Sequence, residues 1–183
     1  NEQSPMGLRF TGITRLGPND STLGKVIEAA RYVIVFARDV VLEESNGVAP
    51  ETWLQERVEA FLRCESAIVQ RKVKGIHRKR NVRAFIEEMR VFKDDGLLER
   101  AGLLGDLLAV EVLVRVGNEG STKAREIAQV LFEMKEPPPH QAVRVSLLAR
   151  RDAELCEPLD LEVLRRPKSA EVIAELELAA AAS

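Results

Sequence analysis

Apolar residues recur at three- and four-residue intervals from Ser21 onward. Leu23, Val26, Ile27, Ala30, Val33, Ile34, Ala37, Val40 and Val41 fall on one helical stripe. The spacing predicts a long buried helix ended by SNG at residues 45–47, with the β-branched residues leaving a strand as the alternative. Pro50 stands where a first-turn proline belongs, and Leu54, Val58, Phe61, Leu62, Ile68, Val69 and Val73 carry a second helix to Gly75. Asn81 is placed to cap a third, with Val82, Phe85, Ile86, Met89 and Phe92 inward, until KDDG breaks the pattern. Asp95 and Asp106 read as caps of two short leucine-rich helices, GLLERAGLL and LLAVEVLVRV. Ser121 or Thr122 reads as the cap of another, with Ala124, Ile127, Ala128, Leu131 and Met134 inward.

PPP at residues 137–139 halts helix, because proline lacks the amide hydrogen and biases the residue before it away from helix. Beyond it, QAVRVSLLARR suits a helix or a strand, and SAEVIAELELAAA predicts a final helix capped by Ser169. The domain organisation expected is a flexible lead-in over 1–20, a helical domain over 21–136 and a proline-bounded extension over 137–183. The first residue is Asn and the last run is AAAAS, so the chain is read as a segment of a longer protein.

A shift of forty-two residues aligns the chain with itself. Ala67 and Ile68 fall on Ala109 and Val110, Gly75 on Gly117, Arg83 on Arg125, Phe85 on Ile127, Met89 on Leu131 and Phe92 on Met134. LAVEVLVRVGNEGSTKAREIAQVLFEM, residues 108–134, has an apolar helix-like run, a glycine-bearing turn and an Ala/Leu-rich helix. In this it resembles an armadillo repeat, and its composition is similar to the repeat region of plant U-box ubiquitin ligases. The resemblance implies an all-α fold of stacked helices of armadillo or HEAT character, with an irregular helical bundle as the alternative. It also implies a scaffold that binds other proteins. The family's peptide-holding asparagine is absent, since Glu133 and Val91 occupy its two places.

Charge narrows the function classes. Lys and Arg number 27 against 29 Asp and Glu, a net charge of −2, which argues against a protein basic all over its surface. Cys64 and Cys156 match no zinc or CxxC spacing and point to a reducing, intracellular compartment, cytoplasmic or nuclear. YVIVFA at 32–37 is far shorter than the roughly 20 apolar residues that span a bilayer. There is no phosphate-binding glycine loop, GxSxG or HExxH, and Cys64 with His77 has no positional logic as a thiol and base. The expectation is therefore a non-catalytic protein without metal or cofactor.

One stretch breaks the charge balance. RKVKGIHRKRNVR, residues 71–83, holds Arg71, Lys72, Lys74, His77, Arg78, Lys79, Arg80 and Arg83, with no acid between Glu65 and Glu87. These eight are the candidate contacts for a partner, placed at the exposed turn between two stacked helices. The partner expected first is another protein, with an acidic one suited to the run; nucleic acid or anionic lipid is the alternative. A solvated turn, or a nuclear import signal interrupted by Gly75 and Ile76, is the competing account of the same residues.

Overall fold

A computed structural model describes residues 21–117 and 120–159. It is mixed α/β, and the expectation of an all-α stack, armadillo-like or bundled, is overturned. In chain order the elements are α1 (Leu23–Val26), β1 (Ala29–Ala37), α2 (Arg38–Glu44), α3 (Pro50–Arg63), β2 (Ile68–Val73), β3 (Ile76–Asn81), β4 (Ile86–Val91), α4 (Leu97–Arg100), β5 (Leu107–Arg115), α5 (Ala124–Leu131), β6 (Gln141–Arg151) and β7 (Glu154–Cys156). The expected lead-in over 1–20 and the final helix after Ser169 lie outside the described residues.

The described residues fall into two compact units, Ala29–Leu147 and a smaller one that includes 21–28 and 148–159. In the larger unit the sheet has the order β4-β5-β1-β6. β1 and β5 pair antiparallel from Ala29↔Arg115 to Ala37↔Leu107, and β4 joins the far edge of β5 with a bulge between Ile86 and Glu88. In the smaller unit the end of β6 pairs with β7 from Ala149↔Cys156 to Arg151↔Glu154. There Val26 and Ala149 are buried with Cys156 against them, and Glu28 N–H donates to Leu148 O at 2.9 Å.

The supposed long helix of residues 23–41 is a strand between two short helices. Its apolar run misled because β1 is buried on both sides. Ile34 and Phe36 face the helices, packing with Val41, Leu54, Val58 and Leu131, while Val33 and Val35 pack with Leu98 and Ala109 on the other face. A strand covered on both faces reads as a nearly continuous apolar run, and such a run satisfies a three-and-four spacing as readily as an alternating one. LLAVEVLVR, expected as a helix, is β5 for the same reason, buried from Leu108 to Val114. Arg31 and Arg90 both pair with Glu111, so β5 carries its one carboxylate inside without leaving it uncompensated.

Helices formed where one face meets the core and the other meets water. α3 starts at Pro50 and buries Trp53, Leu54, Val58 and Phe61; α5 buries Ile127, Ala128 and Leu131. Phe132 links them to the sheet, its ring 5.1 Å from Trp53 and 4.9 Å from Phe36. α3 ends at Arg63, well short of Gly75, and the segment expected as a helix capped by Asn81 is a short 3-10 turn followed by β4.

The forty-two-residue period is not a structural repeat. Its first part lays β2 on β5 and turn on turn, but its second lays β4 on α5. What recurs is burial, which strands and helices share, and not the hydrogen-bonding pattern. The armadillo expectation fails on that point.

Candidate functional site

β2 and β3 form a sheet of their own, an antiparallel ribbon in register from Ile68↔Asn81 to Val73↔Ile76. The chain reverses through Lys74 and Gly75, whose φ angles of 49° and 84° are both left-handed. Two consecutive positive-φ residues match the twist of a two-residue hairpin, and Gly75 adopts this geometry without a Cβ penalty. Gly75 is thus a turn residue, as the sequence suggests, but between strands.

The base of the ribbon is tied down. Val69 is buried in the helix-side core, Ala67 N–H donates to Asn81 Oδ1 at 3.0 Å, and Val82 N–H donates to Ala67 O at 2.8 Å. Arg71 reaches α5, where its Nε and Nη2 donate to the two carboxylate oxygens of Glu126 and Nη2 also donates to Ser121 O at 2.9 Å. Glu126 is only 5% exposed and also accepts from Thr122 Oγ1 at 3.0 Å and Lys123 N–H at 2.9 Å. Burial pushes its carboxyl pKa up, but the hydrogen bonds from Arg71, Lys123 and Thr122 outweigh burial and hold it below the ordinary value. Arg71 is correspondingly held more firmly protonated, by its hydrogen bonds to Glu126.

Two further cations are spent internally. The Arg80 guanidinium lies 4.1 Å from the centre of the Phe85 ring, and Gly120 abuts it so closely that a Cβ there would collide. Arg83 donates to Ile86 O at 2.8 Å and Leu62 O at 3.4 Å. Of the eight candidates read from sequence, Arg71, Arg80 and Arg83 therefore hold the fold together.

The other five, Lys72, Lys74, His77, Arg78 and Lys79, are exposed. No side-chain hydrogen bond or ion pair ties them to the described residues. Alternation and register put Gln70, Lys72, His77 and Lys79 on one face of the ribbon, and Arg78 on the other beside Arg71 and Arg80. Exposure on both faces from Lys74 to Lys79 means that this part of the ribbon projects beyond the body as an arm. Ile76, next to the turn, is 59% exposed. Beside the arm a groove of about 940 Å³ opens between β2 and α5, lined among others by Gln70, Lys72, His77, Lys123 and Gln129. No sequence signal pointed to α5 as its other wall, because Glu126 and Arg71 are fifty-five positions apart.

Cys64 and His140 each make a local contact to a backbone carbonyl. Cys64 Sγ donates to Phe61 O at 2.9 Å at the end of α3, and His140 Nδ1 lies 2.8 Å from Pro138 O. Among the described residues no three of His, Cys, Asp and Glu converge as metal ligands, and no helix is long and apolar enough to cross a membrane.

No curated protein matches the chain. Residues 1–126 match a family described as an uncharacterized protein conserved in bacteria (DUF2344). This replaces the likeness to armadillo repeats of plant ligases, and a family conserved in bacteria gives no support to a nuclear location or import signal. The match takes in β1 to β5, the ribbon and the start of α5, well over half of the residues, and the chain belongs to this bacterial family.

Proposed function

We propose that this protein is a non-catalytic binding module whose partner is nucleic acid, held by the β2–β3 arm. The observation that carries the reading is a projecting two-stranded ribbon with five exposed cationic or titratable side chains, Lys72, Lys74, His77, Arg78 and Lys79, on a chain of net charge −2. Across the ribbon Arg78 stands opposite Arg71, and Lys72 stands opposite His77. Arg71 is neutralised from within, by Glu126. Exposed lysines and arginines gathered on one ribbon suit a polyanion, whose condensed counterions are released when they bind it. Two-stranded ribbons of this kind are an established way to enter a nucleic-acid groove.

Capture of nucleic acid from a bacterial lysate by the intact chain, followed by nuclease treatment, tests the reading. The expected result is material that disappears with nuclease and is not captured by the Lys72→Glu/Arg78→Glu/Lys79→Glu variant. Equal capture by the charge-reversed variant would overturn it.

A second reading keeps a protein as the partner. It is favoured by the groove between β2 and α5, whose wall carries Val130 and Met134 among charged side chains. Nuclease-resistant capture of a protein, lost on substitution of Met134 to Glu, would select it.

A further inference from the structure

Resting on the nucleic-acid reading, we infer that the partner of the arm is a double helix, duplex DNA, with the ribbon seated between two phosphate walls of a groove. The basic side chains, with His77 among them, are divided between the two faces of the ribbon. Lys72, His77 and Lys79 lie on one face, Arg78 lies on the other, and Lys74 is at the turn. A single strand offers one row of phosphates, which one face could meet while the other stayed unneutralised. A groove offers a row on each side, so both faces gain counter-charges together.

Size and composition agree. The major groove of B-form DNA is about 12 Å wide and admits a two-stranded ribbon, whereas the deep, narrow major groove of A-form RNA does not. Proteins that bind single strands rely on aromatic side chains on which unpaired bases stack. Residues 68–81, IVQRKVKGIHRKRN, contain no Phe, Tyr or Trp, and His77 is their one aromatic ring. The apolar residue at the end of the arm is instead Ile76, 59% exposed. An exposed isoleucine is unfavourable in water but suits the thymine methyl groups and base-pair edges inside a groove.

Fluorescence anisotropy with the intact chain tests this, using one sequence as duplex DNA, as each single strand and as duplex RNA, titrated at several salt concentrations. The expected result is tightest binding to duplex DNA, with log affinity falling against log salt at a slope of about −3 to −4 for four phosphate contacts. Arg78→Ala and Lys79→Ala, on opposite faces, should each make that slope shallower by about one. All three cation positions tested, with Lys72→Ala, are solvent-exposed, and an unchanged melting temperature checks that each variant is folded. Single strands or duplex RNA bound as tightly as duplex DNA would overturn the duplex-DNA inference and leave the nucleic-acid reading standing. An Arg78→Ala variant with an unchanged slope would overturn the two-walled seat. Absence of salt-dependent binding to every nucleic acid would overturn the underlying reading itself.

Discussion

Arg71 and Glu126 join the arm to α5, and the environment of the pair decides how it behaves. Glu126 is inside, 5% exposed, with three donors around it, so removing its charge leaves the Arg71 guanidinium poorly compensated. Glu126→Gln should destabilise the fold by about 2–3 kcal/mol in denaturant melts, below the full cost of breaking a deeply buried pair because Arg71 retains some solvent contact. The pKa of Glu126 is depressed in the folded state, so its contribution is fully present above the ordinary value of 4.5 and is lost as pH falls through the lower, folded value. The stability gap between the wild type and Glu126→Gln should therefore be constant at neutral pH and shrink on acidification below about 4.5. A gap unchanged down to pH 3 would show that the pair is not ionised as described. At the same scale, Phe85→Ala should loosen Arg80 more than it disturbs the sheet, because Phe85 is only half-buried beneath the guanidinium.

The arm and the body respond to different changes. Gly75 has φ 84°, and a β-branched residue there is strained, so Gly75→Val should cost about 1–2 kcal/mol. The loss should be local: amides of 69–80 exchange faster while those of β1 and β5 do not. Leu131→Ala acts on the body instead, opening a cavity under the sheet at a cost of about 2–5 kcal/mol, since Leu131 is 1% exposed in the helix-side core. Urea melts read the second effect and hydrogen exchange the first. The same contrast explains which elements are legible in the chain. Helices α3 and α5 present water on one side, so their apolar positions carry a real helical period. β1 and β5 are covered on both sides, so their sequences are apolar but for Arg31, Glu111 and the terminal Arg115 and hold no amphipathic period to read. β2 and β3 fail for other reasons: Ile68, Val69 and Val73 fit the helical spacing that follows Pro50, while the charged residues from Arg71 to Arg80 show no alternation and resemble a turn.

For the molecule as a whole, charge distribution matters more than net charge. The chain is weakly acidic, with a pI near 5.9, and carries its exposed basic cluster on one arm. The polyanion binding proposed above would therefore depend on local field and not on overall sign. Inorganic polyphosphate at a hundred times its dissociation constant should stabilise the protein by about 2.7 kcal/mol, raising its melting temperature by roughly 5–10 °C. The Lys72→Ala/Arg78→Ala/Lys79→Ala variant should show little or no shift, as should the wild type in high salt. An equal shift for the variant would place the polyanion elsewhere on the surface.

Some features are decided locally and can be read without a fold. These are the proline that begins α3, the SNG that ends α2, the turn at Gly75, the amphipathic face of α5 and the clustering of cations over 71–83. Each depends on a backbone preference or on residues a few positions apart. Tertiary structure alone decides which apolar runs are strands, because that depends on being covered twice by distant elements. It also sorts the cations, drawing Arg71 to Glu126, Arg80 to Phe85 and Gly120, and Arg83 to Leu62 and Ile86, while leaving five side chains of the run exposed on the arm. Like-charged neighbours in sequence are chemically alike; what separates them is whether folding brings a counter-charge, a ring or only water within reach.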